Sequence, residues 1–350
     1  MKEVDVIIVG SGLAGTCLAL HLLEAGKSIS IIHHEGHSST RVAAGLYNSI
    51  TGRNMVKTWR ADDLFPYLLK FYSDLESTSG VRFLNRSGIY RPFKSISEQN
   101  EWSGKSVEPG YQPFIDRIYA AKRLEPVIDD LGGVQLKQAG YLDTTTYLHA
   151  AHAMLAEYMD HQKFDSSKLQ IQEDKVRYED ISARHLICCE GVAAVENPLF
   201  GWLPFSPVKG EVLEVEADME LTTIVNRGVF IIHREGNRFR VGSNYNNYDQ
   251  TWTPTEAARE EITGKLNELI NVPYKIVNQY AGVRPATRDR KPFIGMHPKF
   301  KNVGIFNGLG AKGVSLAPYF ARHFTEHLVN QSALDKDVTI ERYYSHYSDN

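Results

Sequence analysis

The chain has 350 residues, 42% hydrophobic and 23% charged, a globular composition that excludes disordered, collagen-like and small disulfide-stapled classes. Lys and Arg number 39 against 42 Asp and Glu, a formal charge of −3, so the balance announces neither nucleic acid nor an anionic membrane as partner. Cys17, Cys188 and Cys189 are too few and too badly spaced for a disulfide framework. The short apolar run after Glu3 and Asp5 does not read as a secretory signal, and no run approaches the roughly 20 apolar residues of a membrane span; the expectation is a cytoplasmic protein.

In chain order, residues 4–9 (VDVIIV) read as a strand, Gly10-Ser11-Gly12-Leu13-Ala14-Gly15 as a glycine turn, and TCLALHLLEAG as a helix ending at Gly26. Residues 29–32 form a second strand, followed by His33-His34-Glu35, which completes a β-α-β unit in a parallel sheet. Residues 42–53 read as a loop. The recurrence of Leu64, Leu68, Phe71, Tyr72 and Leu75 predicts a helix over 62–76. Residues 81–142, aromatic and rich in Gly and Pro, read as antiparallel strands and loops. A helix is expected over 144–159, with a buried strand over 186–189 closing on Glu190-Gly191.

Strand alternation resumes over 207–242, with Glu235-Gly236-Asn237 as a hairpin turn. Residues 253–270 read as a helix with Pro254 in its first turn. Residues 303–306 form a strand, Asn307-Gly308-Leu309-Gly310-Ala311-Lys312-Gly313 a second glycine turn, and 314–328 a closing helix. The expected fold class is α/β: a Rossmann-like nucleotide-binding domain (1–80, 143–205 and 275–350) with an interleaved α+β substrate domain on an antiparallel sheet (81–142 and 206–274).

In the first turn, Gly10 permits the tight bend, Gly12 lets the backbone approach a pyrophosphate, and Gly15 lets the helix sit close to its strand. The helix N-terminus offers free N–H groups and positive dipole to phosphates. At the end of the second strand, where an acidic residue is usual, stands His33, with Glu35 two positions on; either can reach a ribose, and His33 also reads as an ordinary loop histidine. No arginine nearby favours a 2′-phosphate. The second glycine turn points to a flavin: a second helix N-terminus with Lys312 beside it would stabilise an anionic reduced ring. Histidines 33, 34 and 37 lie in a loop beside the nucleotide motif, and no metal is expected.

Together, VDVIIVGSGLAG at the start, VAAGLY (42–47), PVKGEVLEVE (207–216), AGVRPATRDRKPFIGMHP (281–298) and NVGIFNGLGAKGVSLAP (302–318) resemble, in that order, the D-amino-acid oxidase family of FAD enzymes. The likeness is above all to its glycine oxidase branch and to the oxidase half of the bifunctional tRNA wobble-uridine modification enzyme. It covers nearly the whole chain, while 81–142 matches only in length and character.

The resemblance implies FAD held by Gly10, Ser11, Gly12, Leu13, Ala14, Gly15, His33, His34, Ser39, Thr40, Ala44, Gly45, Leu46 and Gly191, and by Gly310, Ala311, Lys312, Gly313 and Val314 of the late turn. Phe164, opening a short strand after the 144–159 helix, matches a backbone contact to adenine. No histidine or cysteine lies in 39–45, so noncovalent FAD is expected.

Arg284 matches the family arginine that pairs with an amino-acid carboxylate, a task suited to its planar fork. Arg288, Arg290 and Lys291 read as a solvated turn around Asp289. Tyr245 and Tyr248 either reach over the flavin or form a rim, and Lys312 would serve flavin, substrate or oxygen. The implied reaction is hydride transfer from the amine-bearing carbon to flavin, giving an imine that hydrolyses; it needs positioning by a carboxylate clamp rather than an obligatory base. The expected partner is a small carboxylate-bearing amine, reoxidation falling to oxygen or another acceptor. Three alternatives stay open: a tRNA wobble-uridine side-chain oxidase, which needs a basic entrance groove, a nicotinamide-dependent dehydrogenase, and a flavin-binding interaction module without turnover.

Overall fold

Strand Lys2–Val9 is buried from Val6 to Val9, as a central strand covered on both faces must be. In the computed structural model, which describes residues 2–51 and 56–348, it pairs in parallel with Ile29–His33 on one side and Ile181–Cys188 on the other. Helix Leu13–Glu24 makes the crossover. Ile181–Cys188 divides its far edge: residues 181–183 pair antiparallel with Val176–Tyr178, and residues 186–188 pair in parallel with Val303–Asn307. The first eight-stranded sheet is therefore mixed, its parallel centre being the part that ends at the glycine turns.

The second eight-stranded sheet runs Tyr274–Arg284, Val208–Ala217, Arg238–Gly242, Val229–His233, Ile224–Arg227, Ile89–Pro92, Gly133–Leu136, Ile115–Tyr119. It is antiparallel except where Ile224–Arg227 meets Ile89–Pro92. Its period of two separates the faces. Leu213, Val215, Ile231, Phe239 and Val241 pack with Ile262 and Leu266 of helix Glu256–Asn267. Gly210, Val212, Phe230 and Gly242 face a cavity between the two sheets.

Several expectations shift. Tyr274–Arg284 is hydrogen-bonded along its length to Val208–Ala217, so this strand belongs to the second sheet, and the chain crosses back after Arg284 rather than at 275. The helix expected over 144–159 spans Thr144–Met154; after a turn, Met159–His161 pairs in parallel with the otherwise open edge of Ile29–His33. Phe164 opens no strand but lies in the loop beyond, tilted against Tyr178 at 5.0 Å between ring centroids. Pro254 lies outside its helix, because Thr255 is the N-cap and accepts from the Ala258 N–H. The loop expected over 42–53 holds two short strands, Leu46–Tyr47 and Ile50–Thr51; Gly52 and Arg53 lie outside the described residues. Among the described residues no helix is long and apolar enough to cross a membrane.

Within 81–142 the structure also contains a helix, Ile96–Lys105, capped by Ser95 on the Glu98 N–H and tied by Arg91 to Glu98 at 2.8 Å. Its one buried residue is Trp102, whose indole N–H has no partner. Trp102→Ala should lower the unfolding free energy by about 3–5 kcal/mol. Trp102→Phe, which removes the unsatisfied donor with most of the ring kept, should cost much less; urea titrations compare the two.

Candidate active site

The cavity between the sheets has a volume of about 1060 Å³, just above the usual range for small-molecule sites and roomy enough for a dinucleotide together with a small substrate. Strand Lys2–Val9 delivers its C-terminal end there. Gly10 turns the chain at φ +98°, and a Cβ on Gly15 would lie 1.8 Å from the Gly10 oxygen. Gly12 is different: a Cβ there would meet only Thr40 Oγ1, at 3.3 Å, so its bare face is turned to the cavity. Gly12, the N-cap of helix Leu13–Glu24, has no side chain to cap it, and the first turn holds no acid; of the first N–H groups, that of Leu13 donates weakly to Thr40 Oγ1 at 3.4 Å. A small cradle at a helix N-terminus whose N-cap residue is a glycine is what a pyrophosphate requires, and FAD fits it.

The cavity wall brings together Ser11, Gly12, Leu13, Ala14, His33, His34, Ser39, Thr40, Ala44, Gly45, Leu46, Phe164, Gly191, and the late turn from Gly310 to Val314. Gly15 stays beneath the turn and does not line the space. The late turn opens helix Gly313–Asn330 with no side-chain cap, so a second set of helix donors faces the same cavity.

His33 is buried and hydrogen-bonds Ser11 Oγ through Nδ1. His152, whose Nε2 donates to the Ser11 carbonyl at 2.9 Å, and His161 lie with ring centroids 5.0 and 5.3 Å from it. Burial first, then His152, His161 and Arg41, push the His33 pKa down to about 4, with Glu35 opposing. The imidazole is therefore neutral near pH 7 and can accept from a ribose hydroxyl. Among the described residues no group of three His, Cys, Asp or Glu is arranged to hold a metal ion. Glu190 also lines the cavity; burial raises its pKa, and Asn197 Nδ2, which donates to it at 2.6 Å, acts in the opposite direction.

At the other end of the cavity stands Arg284. NH1 donates to the Lys209 carbonyl at 3.2 Å, and NH2 to Ser243 Oγ at 2.8 Å and the Asn244 carbonyl at 3.3 Å. The Tyr245 ring lies 4.4 Å from its guanidinium carbon. A Cβ on Gly210 would fall 2.0 Å from NH2, so this glycine provides the space the guanidinium occupies. Burial lowers the Arg284 pKa, and no acid is among the groups acting on it. Among the described residues no carboxylate pairs with it.

Lys312 also faces the cavity, its pKa lowered by burial and then by Arg290. Tyr248 points to solvent, 98% exposed. The Asp289 turn is tied down rather than merely solvated: Arg342 pairs with Asp289 at 3.0 Å, and Lys291 lies 3.4 Å over the Trp59 ring. Sequence reasoning missed Ser243, Asn244 and the room left by Gly210. The glycine inside PVKGE was a signal for close approach, but what approaches it comes from a strand seventy positions on.

A cavity with helix N-termini and glycine turns at one end and a cation without a counter-ion at the other is compatible with a dinucleotide-dependent oxidoreductase. Residues 5–327 match the family described as DAO, FAD dependent oxidoreductase, and the chain belongs to that family. The cofactor is thus FAD, and the nicotinamide-only alternative falls. The chain is 24% identical over 375 residues to a glycine oxidase of Bacillus subtilis, covering 96% of this chain and 95% of the relative. It is 22% identical to the tRNA 5-methylaminomethyl-2-thiouridine biosynthesis bifunctional protein MnmC of Idiomarina loihiensis, covering 91% of this chain but 54% of that protein. The crystal structure of glycine oxidase from Geobacillus kaustophilus superposes with a TM-score of 0.79 at 18% identity, covering 96% of this chain and 97% of that one.

The lowered pKa of His33 gives stability a sign with pH. The unfolded chain takes up this proton near 6.5, the folded one only near 4, so the contribution is complete above about pH 6.5 and is lost as pH falls toward 4. The loss of thermal midpoint between about pH 7 and 4.5 should be smaller in His33→Gln than in the wild type. His185, likewise pushed down to about 4 by burial, continues to titrate in both.

Proposed function

We propose that the chain oxidises the C–N bond of a small, glycine-like amine or amino acid bearing a carboxylate, with noncovalently held FAD. The observation that carries this reading is Arg284, a half-buried guanidinium on the cavity wall with no acidic partner among the described residues. A cation drawn from water without a counter-ion is costly, and a substrate carboxylate would supply that counter-ion with charge-assisted hydrogen bonds to the N–H groups that Lys209, Ser243 and Asn244 leave free.

When bound, FAD supplies the hydride acceptor. The chain's own residues perform the remaining tasks. Arg284 fixes the carboxylate and thereby the carbon next to it, while Val212 and Phe230 of the second sheet give the cavity wall apolar surface. Positioning of this kind supplies much of the rate without a base. Lys312 and the N-terminus of Gly313–Asn330 place positive potential at the same end of the cavity as the flavin ring in this reading. Gly10, Gly12, Leu13 and Ala14 would hold the pyrophosphate, and His33 the ribose.

Three measurements test the reading. Acid precipitation of the yellow protein should release all FAD into the supernatant; flavin retained in the pellet would contradict noncovalent binding. Arg284→Ala should keep its FAD yet lose about 10² to 10³-fold in kcat/KM for amines that carry a carboxylate, the usual cost of removing one partner of a buried charge pair, with Arg284→Lys recovering only part. Anaerobic mixing with N-substituted glycines should bleach the flavin. Bleaching only by a carboxymethylaminomethyl group presented on RNA would move the substrate to the tRNA alternative.

A further inference from the structure

The irregular segment 243–255 carries Tyr245 over Arg284 and supplies Gln250 and Trp252 to the cavity wall. It is tied down by one tripeptide of strand Val208–Ala217. Lys209 is completely buried. Its main chain exchanges two hydrogen bonds with Asn246, at 2.9 and 3.0 Å. Its ammonium donates to Asp249 Oδ2 at 2.5 Å, Thr251 Oγ1 at 3.1 Å and the Thr253 carbonyl at 2.6 Å, which uses all the donors a lysine has.

Glu211, also buried, lies 3.6 Å from the Lys209 ammonium. It accepts from the Thr255 N–H and hydroxyl at 2.8 Å each and from Gln279 Nε2 at 2.7 Å, while its own N–H donates to Asn244 Oδ1 at 2.8 Å. Strand alternation explains the division of labour. Lys209 and Glu211 share the face away from the cavity, and Gly210 between them leaves room for the guanidinium. At the far end of the segment Trp252 stacks on His37 of the nucleotide side, at 4.8 Å between centroids and 8° between planes.

The atoms that hold Arg284 are thus the Lys209 carbonyl and two groups, Ser243 Oγ and the Asn244 carbonyl, on the segment that the Lys209 ammonium secures. An apolar side chain would fill the Lys209 site at lower desolvation cost; what the ammonium adds is a fixed path for a segment with no sheet or helix of its own. We infer that Lys209 is the positioning residue of the carboxylate clamp, acting through Asp249, Thr251 and Thr253 to hold 243–255 where Arg284 and Tyr245 are aimed into the cavity. The inference rests on the reading of Arg284 proposed above.

The test uses FAD-loaded enzyme with acetate as the probe, titrated by its perturbation of the visible flavin spectrum. Asp249→Asn is the chosen variant, because Asp249 is partly exposed and the change leaves Lys209 its Thr251 and Thr253 acceptors; Lys209→Met is its companion if it folds. Misplacement by about 1 Å costs up to about 10²-fold, so the acetate Kd should rise about ten- to a hundredfold in Asp249→Asn. FAD content should stay close to wild type, and because Glu211 still lies 3.6 Å from the ammonium as a counter-ion, the fall in thermal midpoint should be small. With an amine substrate, KM should rise more than the limiting rate of anaerobic flavin reduction falls.

Acetate binding equal to wild type in Asp249→Asn overturns the inference. A weakening that merely tracks lost FAD or lost thermal stability also overturns it, since that is general destabilisation. If acetate perturbs neither wild type nor any variant, the carboxylate reading of Arg284 fails and this inference with it. If wild type binds acetate and Arg284→Ala does not, while Asp249→Asn binds normally, only the role of Lys209 falls.

Discussion

A guanidinium withdrawn from water with no carboxylate beside it is held in place by geometry alone, and the second sheet of this protein is arranged to do that for Arg284. The residue ends a strand paired over its whole length with Val208–Ala217. Its partner strand supplies an accepting carbonyl and a glycine with no side chain, and the following segment supplies a hydroxyl and a second carbonyl. All these contacts are neutral acceptors, which orient the fork without neutralising it. The positive charge meets no acidic group among the described residues.

The nucleotide end is built on the converse principle. Main-chain donors at two helix N-termini whose N-cap residues offer no capping side chain face the cavity, and beside the first turn His33 is held neutral by burial and its cationic neighbours. A charged imidazole is not needed where N–H groups and dipole already favour phosphate. One cavity therefore holds dipolar donors at one end and a formal cation at the other, each in the place where the family's cofactor and a small acid would bring opposite charge.

Much of this was legible in the sequence because it is local. The strand, turn and helix of residues 2–24 and of 303–330 declare themselves by apolar runs and by glycines whose steric demands lie within a few residues. Helix Ile96–Lys105 was not legible by periodicity, since only Trp102 faces the core; the Ser95 and Glu98 spacing was its one local signal. The strand Met159–His161 was hidden because what forms it is the open edge of Ile29–His33, more than a hundred positions earlier. The seat of Arg284 was hidden for the same reason. PVKGE and GVRP were both visible, but nothing in either says that the glycine of one makes room for the arginine of the other. Lys209 and Glu211 read as the polar positions of an alternating strand, whereas the structure buries both beneath 243–255.

The central claim is that the charge on Arg284 selects and aligns a carboxylate, and the most direct measurement is the rate of anaerobic flavin reduction by an N-substituted glycine compared with its carboxamide. The two differ in the one group that meets the guanidinium and share the carbon and amine that react. The account predicts saturable bleaching by the acid and a second-order rate constant about 10² to 10³-fold lower for the amide. Equal rate constants for the two would contradict it.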